Sequence, residues 1–353
     1  MTKEDVIKAL RHVEEPDLKK DLVTLNMVED IVIDGDKLSF TVVLTTPACP
    51  LKELIRQRCE AAIAEHISPD VAVTVHMTAR VTGATVAANP LPGVKNIIAV
   101  FSGKGGVGKS TISSNLAIAL AQSGAKTGLM DADIYGPSVP IMFGVRGSRP
   151  LMEVVGDKEM IAPMESHGIQ LMSIGLLVDE RQAVVWRGPM ASSAIRQFVT
   201  DVHWGELDYL VIDMPPGTGD IHLTLMQLIP VSGAVIVTTP QDVALADAKK
   251  GIAMFAQAQM NVPVLGIVEN MAWFTPAELP ENKYYIFGKE GGKKLAEELE
   301  IPFLGQVPLV QAVREGGDKG VPAMMGNDEL TKNAFRELTG NVVRQLALVR
   351  NSD

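Results

Sequence analysis

Residues 103–110 read Gly103-Lys104-Gly105-Gly106-Val107-Gly108-Lys109-Ser110: a glycine, four residues, then Gly-Lys-Ser, with an extra lysine in second place. Glycines here let successive backbone N–H groups turn inward around an anion, because no side chain blocks the approach. Lys109 is placed to reach the β- and γ-phosphates of a nucleotide, and the Ser110 hydroxyl to help hold Mg²⁺. Carboxylates follow at two further points. Thr127-Gly-Leu-Met-Asp131 reads as a strand that delivers Asp131 and Asp133 to its carboxyl end, where ligands bind in open parallel sheets. Asp208-Tyr-Leu-Val-Ile-Asp213 is a second apolar strand ending in an acid, followed by Met-Pro-Pro-Gly-Thr-Gly-Asp220. Asp133 is expected to orient an attacking water, Asp131 to support the Mg²⁺ shell and Asp213 to bind Mg²⁺ through water. Gly217 is expected to sense the γ-phosphate. This is the chemistry of phosphoryl transfer from a nucleoside triphosphate.

The elements that must position these groups are legible. Asn96–Phe101 is a buried-strand run, and Asn115–Ser123 reads as a helix ending at Gly124. A phosphate between them meets the orphan N–H groups and the positive dipole end of that helix. Further strands are expected at 233–239, 263–269 and 302–307. With helices between them, residues 95–353 form an α/β, doubly wound, mostly parallel sheet. Residues 1–82 form a separate small α+β domain. Its elements are a helix at 3–11, strands at 27–33 and 37–44 joined by an Asp34-Gly35-Asp36 turn, a helix from Cys49-Pro50 to His66, and a strand at 71–77. Residues 83–94, with two prolines and few packing demands, read as a linker.

At 353 residues, 46% hydrophobic and 21% charged, the chain can bury a sizeable core. A net charge of −10 argues against broad nucleic-acid or anionic-membrane binding. No apolar stretch approaches the roughly 20 residues that span a bilayer, and Met1-Thr-Lys-Glu-Asp is no signal peptide. The expectation is a cytoplasmic protein with no nucleic-acid and no membrane partner. Two cysteines, Cys49 and Cys59, imply no disulfide framework.

The extra Lys104 resembles the deviant Walker A loops of ATPases in which that lysine crosses to the nucleotide of a second subunit. Asp131-Ala-Asp-Ile-Tyr-Gly-Pro-Ser138, Trp186-Arg-Gly-Pro-Met190, Asp213–Asp220 and Val268-Glu-Asn-Met271 narrow the likeness to the Mrp/ApbC family of P-loop ATPases that carry iron–sulfur clusters. Glu15-Pro16 and Thr45-Thr-Pro-Ala-Cys-Pro50 are similar to the small iron–sulfur-assembly domain often fused ahead of it. The resemblance implies ATP, Mg²⁺ and a [4Fe–4S] cluster, a nucleotide-gated homodimer, and apo iron–sulfur clients and assembly scaffolds as partners. It places Lys104, Lys109 and Asp133 in catalysis, and residues 103–111 (Gly103 to Thr111) around the phosphates, with Thr111 at the α-phosphate. Asn270 would bond the adenine edge, and backbone around Pro308 would close over it. Ser110, Asp131 and Asp213 would serve Mg²⁺.

One departure stands out. The family places a Cys-x-x-Cys after the Glu-Asn-Met segment, whereas this chain reads Met271-Ala-Trp-Phe-Thr-Pro-Ala-Glu-Leu-Pro280 and has no cysteine beyond residue 59. Iron–sulfur clusters need thiolates or some histidine substitution. Cys49, just before a helix, has two readings: a cluster ligand with a lowered pKa, or a small half-buried turn residue. Cys59 reads as structural, and His167, His203 and His222 lack ligand spacing, though His222 is placed to position the loop after Asp213. Three functions stay open: a cluster carrier, an ATPase that assists assembly without holding a stable cluster, and a ParA/MinD-like spatial-organisation ATPase. The amphipathic 335–350 segment is read as a packing helix rather than a membrane tail.

Overall fold

Short apolar segments separated by turns build the first unit. In the computed structural model, which describes residues 1–81, 89–178, 186–258, 260–276 and 278–350, the chain divides into Met1–Thr82 with Leu346–Asp353, and Gly83–Gln345. The first unit begins with α1 (Lys3–Leu10), started by a capping box between Thr2 and Asp5. Two short strands, β1 (Glu14–Glu15) and β2 (Lys20–Asp21), pair antiparallel. Then β3 (Val28–Asp34) and β4 (Lys37–Leu44) form a hairpin, and α2 (Lys52–His66) crosses over to β5 (Ala72–Ala79), parallel to β4. Along β4, Leu38, Phe40 and Val42 alternate inward onto Leu10, Ile55 and Ile63. Burying each such side chain contributes roughly 1.5–3 kcal/mol.

The second unit is an eight-stranded sheet. Its elements in chain order are β6 (Ile97–Phe101), α3 (Lys109–Gln122), β7 (Thr127–Asp131), α4 (Val139–Met142), β8 (Met152–Val155), β9 (Lys158–Ile161), β10 (Met164–Ser166), β11 (Ile169–Ser173), α5 (Gly188–Thr200), β12 (Tyr209–Asp213), α6 (Asp220–Leu228), β13 (Gly233–Thr238), α7 (Asp242–Phe255), β14 (Val264–Phe274), α8 (Gly291–Glu298), β15 (Phe303–Leu309), α9 (Gln311–Asp318) and α10 (Glu329–Arg350). The sheet runs β10-β11-β7-β12-β6-β13-β14-β15, antiparallel only at β10/β11. This is the mostly parallel α/β architecture expected. Strands β6, β7, β12 and β13 are buried throughout, as continuous Val/Ile/Leu runs covered on both faces should be. The chain moves from central β6 to one side for β7 and β11, returns to β12, then leaves for the other side through β13. A crevice opens where the order reverses, beyond the carboxyl end of β6.

Three expectations change. The apolar run 169–173, not singled out as a strand, pairs with β7, while β8 and β9 form a separate ribbon with Met152 and Val154 exposed. Residues 82–88, which include the first half of the expected linker (83–94), lie outside the described residues. The linker's remainder, 89–94, is core: Leu91 and Val94 are buried, Val94 bridges to Leu207, and a β-carbon on Gly93 would stand 2.2 Å from the Gly205 carbonyl oxygen. These apolar residues find a docking partner that composition alone does not reveal. Phe335, Leu338, Val342 and Val343 are buried, so α10 packs. Among the described residues no helix is long and apolar enough to cross a membrane.

Candidate nucleotide site

The loop 103–108 connects β6 to α3, which starts at Lys109. Gly108 takes φ +83°, the left-handed region, and a β-carbon there would stand 2.1 Å from Asn270 Nδ2. At Gly103 a β-carbon would meet the Asp247 backbone oxygen of α7 at 2.2 Å. The outer glycines thus let the loop approach its neighbours closely. At Gly105 and Gly106 a β-carbon would meet nothing within 4 Å, so these two present bare backbone. Gly105, Gly106, Gly108, Lys109, Ser110 and Thr111 line a cleft of about 500 Å³. Asp133, Pro216, Asn270 and Pro308 complete its polar end and its rim. A cradle of exposed amides at a helix N-terminus suits a polyphosphate.

Beneath the cradle, register does the positioning. Asp213 of β12 is the ladder partner of both Asp131 on β7 and Val100 on β6, so the two acids sit side by side at one level. Asp213 is fully buried. It accepts hydrogen bonds from Lys109 Nζ (2.8 Å) and Ser113 Oγ (2.8 Å) on Oδ1, and from Ser110 Oγ (2.6 Å) on Oδ2. Lys109 Nζ also lies 3.6 Å from Asp133 Oδ2. Ser110 and Asp213 supply adjacent hard oxygens, the donor set Mg²⁺ takes beside phosphate and water. These residues fit the ion.

The two other acids differ. Asp133 faces the cleft with Oδ1 accepting from Gly136 N–H (3.2 Å), and burial, opposed by Lys109, pushes its pKa up. Asp131 is fully buried and is not among the residues that line the cleft. Its oxygens accept from Asp133 N–H (3.1 Å), Val139 N–H (3.4 Å) and Ser173 Oγ (2.8 Å), and burial followed by the charge of Asp213 raises its pKa. These bonds hold the turn that carries Asp133.

Asn270 lines the cleft, and its Nδ2 donates to Val107 O (2.8 Å), tying the loop to β14. Lys104 is exposed, and its carbonyl accepts from Ser102 Oγ (3.0 Å). Buried Val107 and Gly103 shape the loop from behind. Sequence reasoning missed Ser113, although one helical turn separates it from Lys109. It also missed the far wall, where Ile141 and Met142 of α4 face Val313, Arg314 and Gly317 of α9.

The cysteines lie in the other unit. Cys49 is half-buried, and burial first, then Glu15 and Asp17, push its thiol up against the opposing Leu51 N–H. Of the two readings of Cys49, the lowered pKa gives way to the half-buried turn residue, because burial, the largest influence, raises the thiol pKa and Glu15 and Asp17 add to it. Cys59 is fully buried and pushed up to about 12 by burial. Among the described residues, no three His, Cys, Asp or Glu side chains form a metal-ligating group. His167 meets Gly320 O and His203 meets Glu153, separate structural bonds. In place of the family's cysteine pair, β14 ends at Phe274, which pairs with Tyr284, and the Lys283 ammonium stands 4.1 Å over the Trp273 ring.

Comparison with known proteins agrees with this geometry. A family model described as NUBPL iron-transfer P-loop NTPase matches residues 93–343, and one for an iron–sulfur cluster assembly protein matches 3–75. The chain is 51% identical over 335 residues to the iron–sulfur cluster carrier protein of Synechocystis sp., covering 93% of each. It is 45% identical over 344 residues to that of Escherichia coli (strain K12), covering 97% of this chain and 91% of the relative. A solved nucleotide-binding protein from Archaeoglobus fulgidus, in complex with ADP, shares 39% identity at TM-score 0.59, over 68% of this chain and 93% of that one. The cell division ATPase MinD of Pyrococcus furiosus shares the fold at 22% identity and TM-score 0.50, over 70% of this chain and 98% of that one.

Proposed function

The chain belongs to the NUBPL-type iron-transfer P-loop NTPase family, and from that premise we propose that it is an ATP-hydrolysing carrier that delivers iron–sulfur clusters to apoproteins. The observation that carries the ATPase half is the convergence of Lys109, Ser110 and Ser113 on Asp213 beneath a loop of bare amides. When ATP binds, Lys109 exchanges Asp213 for the β- and γ-phosphates, and the loop amides bind the remaining phosphate oxygens. Ser110 and Asp213 would hold Mg²⁺, which when bound would neutralise charge on the transferring phosphoryl group. Asp133 accepts a hydrogen bond from the attacking water and aims it at the γ-phosphorus. Water adds as the bond to ADP breaks, releasing phosphate. Loss of the γ-phosphate frees the 215–219 loop, a release signal for cargo. Lys104, exposed and outside its own cleft lining, is suited to reach a second copy's nucleotide in a homodimer.

A second reading rests on the thiols: with Cys59 buried and Cys49 half-buried, the chain assists assembly without holding a stable cluster itself. Anaerobic reconstitution with iron and sulfide separates the two, reading bound iron and visible absorption for wild type and Cys49→Ser. Stoichiometric cluster lost in the variant supports a carrier loading through Cys49. A colourless wild type that still hydrolyses ATP supports the assisting role, and a wild type without turnover overturns both.

A further inference from the structure

His222, in the first turn of α6, is buried and takes no part in the mechanism above. Its ring lies under the loop that follows Asp213. Nε2 stands 2.9 Å from Pro215 O, which can only accept, so this nitrogen carries the proton. Nδ1 then accepts from Gly219 N–H at 3.2 Å, with the Gly219 carbonyl 3.1 Å away. Burial, the largest influence, lowers the His222 pKa and favours the neutral imidazole, the form in which Nδ1 accepts from the Gly219 N–H. Edge-on, the ring meets Phe101 at 5.4 Å between centroids. Phe101 ends the strand that feeds the phosphate loop, and α7 presses on it so closely that a β-carbon on Gly251 would stand 2.0 Å from its ring.

Between the two clamped points lies Gly217. It takes φ +86°, a β-carbon there would meet nothing within 4 Å, and its N–H donates to Ser102 O at 3.0 Å. Neighbouring Pro216 lines the nucleotide cleft.

We propose that His222 is a positioning residue that fastens both ends of the 215–219 loop to the strand beneath the phosphate loop, leaving the Gly217 N–H as the group that moves between Ser102 O and a γ-phosphate. The inference rests on the ATPase reading. It predicts that His222 acts on turnover and not on nucleotide affinity, because the amides that grip the phosphates lie on another loop.

The test compares His222→Phe, which keeps the ring packing but neither hydrogen bond, with His222→Gln, whose amide N–H can still reach Pro215 O. Full-length protein is used for ATP turnover, affinity for a fluorescent ADP analogue, melting temperature, and amide hydrogen exchange of residues 217–219. In His222→Phe, kcat should fall about 10- to 100-fold, the scale of misplacing a group at a reacting centre. ADP affinity should stay within about threefold, and loop exchange should quicken by about tenfold as the clamp is lost. His222→Gln should recover part of both. Wild-type kcat and exchange in His222→Phe would overturn the proposal, as would a loss of ADP affinity matching the loss of kcat. If His222→Phe does not fold, His222→Gln decides alone: full wild-type loop exchange and kcat, or an equal loss of affinity and kcat, overturns the clamp, and a partial loss of kcat at unchanged affinity supports it. A wild type without turnover would instead defeat the ATPase reading, while the exchange measurement still judges the clamp.

Discussion

Around Asp213, side chains from the first two turns of α3 converge on one carboxylate at a strand end. Around Cys59, a residue of equal chemical capacity is sunk among Phe40, Ile55 and Ile63, and nearby Cys49 is only half open. Both regions hold residues that could bind metal, yet only the first arranges partners around them. A carboxylate buried with three donors is poised to exchange them for an ion and a phosphate. A thiol raised by burial behaves as a small hydrophobe until something ionises it. The presence of a ligand residue therefore says less than the company it keeps.

The contrast can be broken most forcibly at Asp213. Replacing it with Ala leaves the buried Lys109 ammonium with Asp133 at 3.6 Å as its nearest carboxylate and the Ser110 hydroxyl at 3.3 Å, and should cost about 3–5 kcal/mol in urea unfolding. A near-neutral result would mean the cluster is not the organised centre described here. Lys109→Ala should lower phosphate release about 100- to 1,000-fold; turnover at the wild-type level would remove Lys109 from the mechanism. Asp133→Asn should lower turnover roughly 100-fold. Because burial raises the Asp133 pKa above its ordinary 3.8, and only the charged form accepts from water in full, wild-type turnover should fall as pH drops through a value above 3.8. A wild-type profile with no such acid limb would separate Asp133 from the water.

The cysteines should show smaller effects of another kind. Cys59→Ser puts a hydroxyl into an apolar core and should cost about 1–3 kcal/mol, whereas Cys49→Ser, half-buried in a loop, should cost less than about 1 kcal/mol. Iodoacetamide at neutral pH should label Cys49 well before Cys59, whose thiol is pushed up to about 12. Equal labelling rates, read by mass spectrometry, would erase the distinction between the two sites.

Much of the nucleotide site was legible because its chemistry is local. Eight consecutive residues specify the loop, and the loop's flanks declare a strand and a helix by their apolar period alone. Strand-end acids are equally visible, since an apolar run that stops at Asp is a short-range pattern. Which acid does what is not local. Asp131 and Asp213 look alike in the sequence, and the register that sets them side by side, with Ser173 and Val139 taking up Asp131, arises from strands 40 to 80 residues apart.

The same holds for Asn270, read as an adenine partner on the strength of a motif and seen to hold Val107 O across 163 positions of sequence. It holds again for Cys49, where position before a helix suggested a lowered thiol pKa, and burial, with Glu15 and Asp17 adding to it, raises it instead. By itself the sequence determined the fold class, the phosphate loop and the pair of acid-bearing strands, because backbone freedom and hydrophobic period are properties of neighbouring residues. Tertiary structure alone decided which polar groups share a hydrogen bond, which thiol loses its water, and which backbone atoms of the Asp213 loop His222 meets. Those outcomes depend on desolvation and on distances between segments, which no local pattern encodes.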